Sequence, residues 1–158
     1  MEKSNILKKA LLGIGVLALI GGGVVYYMFN QPHRDVQSQS ADYSYEASVI
    51  VNEYLTDAKQ ANEKYLDSEG DSKILQITGT VASISTDFND QKVILLQGAS
   101  DKAGVSCTFP KETGASAEGV TKGQTITVKG VIRSGASYDE DLEMYENVNL
   151  DKCKVIKN

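Results

Sequence analysis

The chain has 158 residues, 41% of them hydrophobic, with two prolines, two cysteines, one histidine and no tryptophan. That is enough for one domain with an ordinary core. The formal charge is −5, but residues 1–34 hold four of the 16 basic groups and one of the 21 acids. Residues 35–158 therefore carry 12 bases against 20 acids, a net −8. So acidic a domain argues against nucleic acid as a partner, because affinity for polyanions rests largely on neutralised phosphates.

Ala10 to Phe29, "ALLGIGVLALIGGGVVYYMF", is an unbroken apolar run. As a helix it would cover about 30 Å, the hydrocarbon thickness of a bilayer. Lys3, Lys8 and Lys9 precede it and Tyr26 and Tyr27 sit at its far end. The pattern predicts an uncleaved single-pass anchor with the N-terminus inside and the rest outside the cytoplasm, periplasmic or extracellular. A cleaved signal peptide fits less well, since the run exceeds a usual h-region and no A-x-A-like site follows.

Residues 30–41, "NQPHRDVQSQSA", are polar and aperiodic, and a linker is expected through residues 35–44. Ala47, Ile50, Tyr54, Ala58, Ala61 and Tyr65 then recur every three or four residues. This predicts one amphipathic helix over 45–66, its tyrosine–alanine stripe packed on the domain. From residue 73 the period becomes two, and residues 73–158 read as five strands. Leu75, Ile77, Gly79 and Val81 share a face of the first, and "KVILLQ" at 92–97 is the second. "GVSCTFP" is the third, with Val105, Cys107 and Phe109 inward, and "TITVKGVIR" the fourth, with Ile126, Val128, Gly130 and Ile132 together. In the fifth, "ENVNLDKCKVI", the apolar phase slips between Leu150 and Cys153, predicting a bulge at Asp151–Lys152.

Gly79 and Gly130 interrupt apolar strands, where glycine costs entropy and packs nothing. A small closed barrel explains both, because inward glycines let strands bend sharply over the core. The expected fold is thus mainly β: a five-stranded oligonucleotide/oligosaccharide-binding (OB) barrel after one helix and a transmembrane segment. In that fold the first and fourth strands pair, which would make the two glycines neighbouring bend points. An SH3-like barrel is the alternative.

"ANEKY", "ITGTV", "GVSCTFP", "KGQTITVKG" and "VNLDKC", in that order, resemble the bacterial tRNA_anti-like family of exported or membrane-anchored OB-fold proteins. The resemblance spans Tyr45 to Ile156. It implies an OB fold, while no catalytic residue or cofactor carries over. The insertion "DSEGD" and the long acidic loop after the fourth strand depart from the pattern.

Residue chemistry points away from catalysis. The single histidine, His33, lies outside the barrel, so no Ser-His-Asp or Cys-His arrangement can be assembled there. Two cysteines without a CxxC cannot close a zinc site. Cys107 and Cys153 are instead disulfide candidates in an oxidising compartment, with two buried thiols as the other reading. OB domains bind through their second and third strands and the flanking loops. Those loops, "STDFNDQ" and "SGASYDEDLEMYEN", offer Phe88, Tyr138 and Tyr145 as stacking groups, and the second also carries five acids, Asp139, Glu140, Asp141, Glu143 and Glu146. No D-x-[DN]-x-[DN]-G calcium spacing occurs, so the acids read as solvated. A binding or assembly module for a protein or peptide is expected, with a nucleic-acid binder or a spacer without ligand as alternatives.

Overall fold

The computed structural model describes residues 19–27 and 35–156. The chain divides into two units, Met1–Arg34 and Asp35–Asn158. In the first, residues 19–27 are helical, and the rest of the expected anchor, Ala10–Phe29, lies outside the described residues. Among the described residues no helix is long and apolar enough to cross a membrane.

The second unit runs β1 (Tyr43–Glu46), α1 (Ala47–Thr56), α2 (Ala58–Tyr65), β2 (Ile74–Thr86), β3 (Lys92–Leu96) and β4 (Val105–Phe109). A short helix α3 (Lys111–Gly114) with a 3-10 turn (Ala115–Ala117) follows, then β5 (Thr125–Ser134), β6 (Ser137–Asp139), β7 (Met144–Glu146) and β8 (Val148–Ile156). Strands β2, β3, β4, β8 and β5 pair in that order, and β5 closes back on β2. Only β4 and β8 are parallel neighbours within this ring. The result is a closed five-stranded, OB-like barrel. Alternation puts Leu75, Ile77, Val81, Ile94, Leu96, Val105, Cys107, Phe109, Val128 and Ile132 inside, all essentially inaccessible.

β2 owes its 13 residues to a change of partner. Residues 74–80 pair with β5 and residues 81–86 with β3, with a register shift between Val81 and Ser83. The phase slip in the last strand is a true bulge. Lys129 pairs with Lys154 but Val131 with Asp151, and Lys152 takes φ 51°.

Three expectations change. The single helix over 45–66 is two: Asp57 leaves helical geometry (φ −150°, ψ 86°) and its carboxylate accepts from the Gln60 amide, capping a fresh helix. Ala58 therefore leaves the buried stripe and is exposed. Upstream, Tyr43–Glu46 is a strand, running parallel to β2 with Tyr43 opposite Leu75 and Tyr45 opposite Ile77. The stretch expected as a linker is bound to the barrel wall. Val36 is buried with Ile74 and Val131, and the Lys129 ammonium donates to the Gln37 and Gln39 carbonyls at 2.9 and 3.0 Å.

Candidate ligand-binding site

The glycines sit on paired strands but not side by side. Gly79 lies opposite Ile126 and Gly130 opposite Leu75. At Gly79 a Cβ would come within 3.0 Å of Ala47 Cβ and 3.1 Å of Leu96 Cβ, so the helix start approaches β2 there. At Gly130 a Cβ would meet Cys153 Sγ at 2.6 Å and the Asp151 carbonyl oxygen at 3.0 Å. The β8 bulge pushes Cys153 into the space a side chain would need.

Cys107 and Cys153 are free, fully buried thiols, so the expected bond between them is not made in this structure. They are nonetheless neighbours in the core. Burial first, then the adjacent Cys107 side chain, pushes the Cys153 thiol well above its ordinary pKa. Cys153 is therefore no reactive thiolate.

Phe88 is fully exposed at the tip of the β2–β3 turn. Asp87 shapes that turn by accepting from the Asn89 and Gln91 amides. The outward face of β3 and β4 carries Val93, Leu95, Ser106 and Thr108, alternating with the buried set. It holds neither an aromatic ring nor a base. Lys92, at its edge, is committed to the Ala117 carbonyl at 3.1 Å.

The acidic segment after β5 forms a two-stranded hairpin on which Glu140, Asp141, Glu143 and Glu146 are exposed. Asp139 accepts from the Asp141 and Leu142 amides at the turn, and Tyr138 pairs directly with Tyr145 across β6 and β7. Their rings lie 4.8 Å apart, so the structure brings these two together and leaves Phe88 on its own turn. Beside the pair is a cleft of about 400 Å³, lined by Tyr54, Leu55, Ala58, Lys102, Ala136, Ser137, Tyr138 and Tyr145. That size suits a small ligand or a peptide side chain.

Tyr54 forms the floor of this cleft, and only a glycine allows it. A Cβ at Gly135 would lie 1.9 Å from the Tyr54 ring carbons. The ring is 2% exposed and its hydroxyl has no hydrogen-bond partner. Burial, with a smaller contribution from the Glu53 charge, pushes its pKa up to about 12. The Lys102 ammonium stands 5.5 Å from the Tyr145 ring centre, with no carboxylate partner among the described residues.

A second tyrosine cluster lies behind the first, and the periodicity of the sequence did not single out Tyr43 or Tyr45 as its members. Lys64 Nζ sits 5.3, 5.5 and 4.7 Å from the ring centres of Tyr43, Tyr45 and Tyr65. Glu53 accepts from Lys64 at 2.8 Å and from the Tyr65 hydroxyl at 2.6 Å. Burial works against the Glu53 charge, but these two donors outweigh it and hold its pKa below the ordinary value. A Tyr/Lys alternation (Tyr43, Tyr45, Lys64, Tyr65) was the available signal, and it spans two elements that only pairing with β2 brings together.

Among solved structures the fold resembles a "putative nucleic acid-binding lipoprotein" from Klebsiella pneumoniae, at 16% identity and a TM-score of 0.52 over 80% of this chain and all of that one. Identity that low speaks to the fold alone. A structure of yeast Stn1 and Ten1 matches 78% of this chain and 66% of that one at 15% identity, with a TM-score of 0.37, too low to bear on the fold. No curated protein sequence matches the chain. The tRNA_anti-like family model matches residues 1–141, reaching from the N-terminus into the acidic hairpin. The chain belongs to the tRNA_anti-like family.

Proposed function

We propose that this protein is a binding or assembly module held at the outer face of a membrane by Ala10–Phe29, and that it recognises a protein or peptide partner. The observation that carries the reading is the surface of the hairpin. Tyr138, Leu142 and Met144 are exposed there among Asp139, Glu140, Asp141, Glu143 and Glu146, with no base from 138 to 147. Exposed apolar side chains within one sign of charge suit a partner surface that is both apolar and basic. The anchor reading draws on the apolar run and on the exposed Leu19, Ile20, Val24 and Val25 of its helical part.

A photoreactive residue at Leu142 of the full chain, activated in intact cells, tests recognition. Adducts to protein segments rich in Lys or Arg and apolar residues are expected, and adducts to nucleic acid would overturn the reading. The anchor requires that the chain stay with membranes after carbonate washing and be open to external protease. A soluble chain starting near residue 30 would refute it.

The name of the Klebsiella relative favours a second reading, nucleic-acid binding. Single-strand binding by OB folds needs a positive groove with stacking rings. The face of β3 and β4 offers neither, so no saturable binding of single-stranded RNA, DNA or tRNA is expected at micromolar protein and low salt. Binding that weakens steeply with salt would restore this second reading.

A further inference from the structure

We infer that Cys107 and Cys153 form a disulfide that clasps β4 to β8 when the chain folds in the presence of a disulfide oxidant. The bond does not depend on the peptide reading above, and three features of the barrel point to it.

The first is the seam that the bond would close. Only Val105–Cys107 pairs with Val148–Leu150, which makes β4–β8 the shortest seam of the ring. Past Leu150, β8 keeps β5 on one side, while side chains from the segment after β4 hold the other. The Thr113 hydroxyl donates to the Cys153 carbonyl at 2.6 Å, and the Val155 amide donates to the Ser116 hydroxyl at 3.1 Å. The two cysteines stand where the backbone ladder stops.

The second is the placing of Cys153. Simple alternation after Val148 and Leu150 would turn Lys152 inward. The bulge instead holds Lys152 at φ 51°, which is uncommon for a residue other than glycine, and brings Cys153 into the core. Gly130 leaves the room that its sulfur takes, since a Cβ there would lie 2.6 Å from Cys153 Sγ. The Cys107 side chain and the Thr108 amide are among that sulfur's polar neighbours. The third feature is seclusion. Both cysteines are fully buried and the chain has no others, so in the finished barrel each thiol can reach only its neighbour.

Each cysteine loses its hydrogen as the Sγ–Sγ bond forms. The two electrons and two protons reduce one small-molecule or protein disulfide to two thiols. Because the finished barrel buries both sulfurs, the exchange is completed before β8 closes, while a thiolate is still accessible. The bond then closes a loop of about 46 residues and restricts the unfolded chain.

The test refolds the reduced full-length chain from urea into detergent micelles, with either glutathione disulfide or dithiothreitol. Each sample is quenched in acid, unfolded, treated with N-ethylmaleimide at neutral pH and weighed by intact-mass spectrometry. The glutathione sample should take up no maleimide and weigh two hydrogens less than the reduced chain, whereas the dithiothreitol sample should take up two. The oxidised barrel should melt about 10 °C higher. The double variant Cys107→Ala with Cys153→Ala should melt at one temperature under both conditions, which ties the shift to this pair. Two labelled thiols after glutathione would overturn the inference. So would glutathione adducts, a bond between two chains, or equal melting of the two wild-type samples.

Discussion

The molecule contains two clusters in which a lysine lies over tyrosine rings, and they differ in one respect. Around Lys64 three rings, a carboxylate and a phenol satisfy one another, with Glu53 accepting from both Lys64 and Tyr65. Around Lys102 there is, among the described residues, one ring and no carboxylate, and the neighbouring Tyr54 hydroxyl is unpartnered. Similar residues thus make a closed structural cage in one place and an open, unsatisfied cleft in the other. The closed cluster spends its polar capacity on the fold, whereas the Tyr54 hydroxyl makes no hydrogen bond there. Tyr54 joins them, since its ring also lies 6.0 Å from that of Tyr65.

The largest effect is expected where the clusters meet. Gly135→Ala places a Cβ within the Tyr54 ring, so the ring must leave its position or the hairpin must shift. A loss of about 3 kcal/mol in urea unfolding is expected, in line with overpacking at a buried site. A stable variant with an unmoved ring would show that the cleft floor is softer than the comparison requires.

Removing one phenolic oxygen from each cluster sharpens the contrast. Tyr65→Phe deprives a carboxylate of a donor and should cost about 1.5–3 kcal/mol, as for hydrogen bonds to charged groups. Tyr145→Phe removes a hydroxyl that makes no hydrogen bond among the described residues and should stay within about 0.5 kcal/mol. Equal costs for the two would erase the distinction between closed and open.

Acid should act on the closed cluster. The folded pKa of Glu53 lies below its ordinary value of 4.5, so its ionised form is favoured by folding. That contribution is complete above the unfolded pKa and is lost as pH falls through the folded one. Glu53→Gln should therefore flatten the part of the stability decline that begins below pH 4.5. An unchanged acid slope would mean that the Lys64 and Tyr65 contacts do not select the ionised carboxylate.

The smallest effect belongs to the open cluster. Tyr138→Ala exposes little that was buried and should change stability by under about 1 kcal/mol. A large loss of stability would instead make the hairpin part of the core.

Much of the barrel was legible. Strict alternation identified the inward residues of β2, β4 and β5, and the phase slip between Leu150 and Cys153 located the bulge now marked by Lys152. Pairing along a sheet depends on a period of two, which a single chain displays openly. The candidate site was legible only in part. Tyr138 and Tyr145 stood out as aromatics in an acidic loop, but their pairing depends on a hairpin turn built by Asp139. Tyr54 read as one more member of a helical stripe. The position of its ring depends on Gly135, 81 positions away, and no local pattern reports such an approach.

Sequence alone determined the acidic charge, the five strands with their faces, and the glycines where strands could not carry side chains, because each is a property of local order. Tertiary structure decided the rest. Asp57 ends one helix and caps the next, Tyr43 and Tyr45 become a strand because β2 offers a free edge, and Val36 leaves the solvent because Ile74 and Val131 meet beneath it. In each case the local preference is weak, and contacts between distant residues are strong enough to override it.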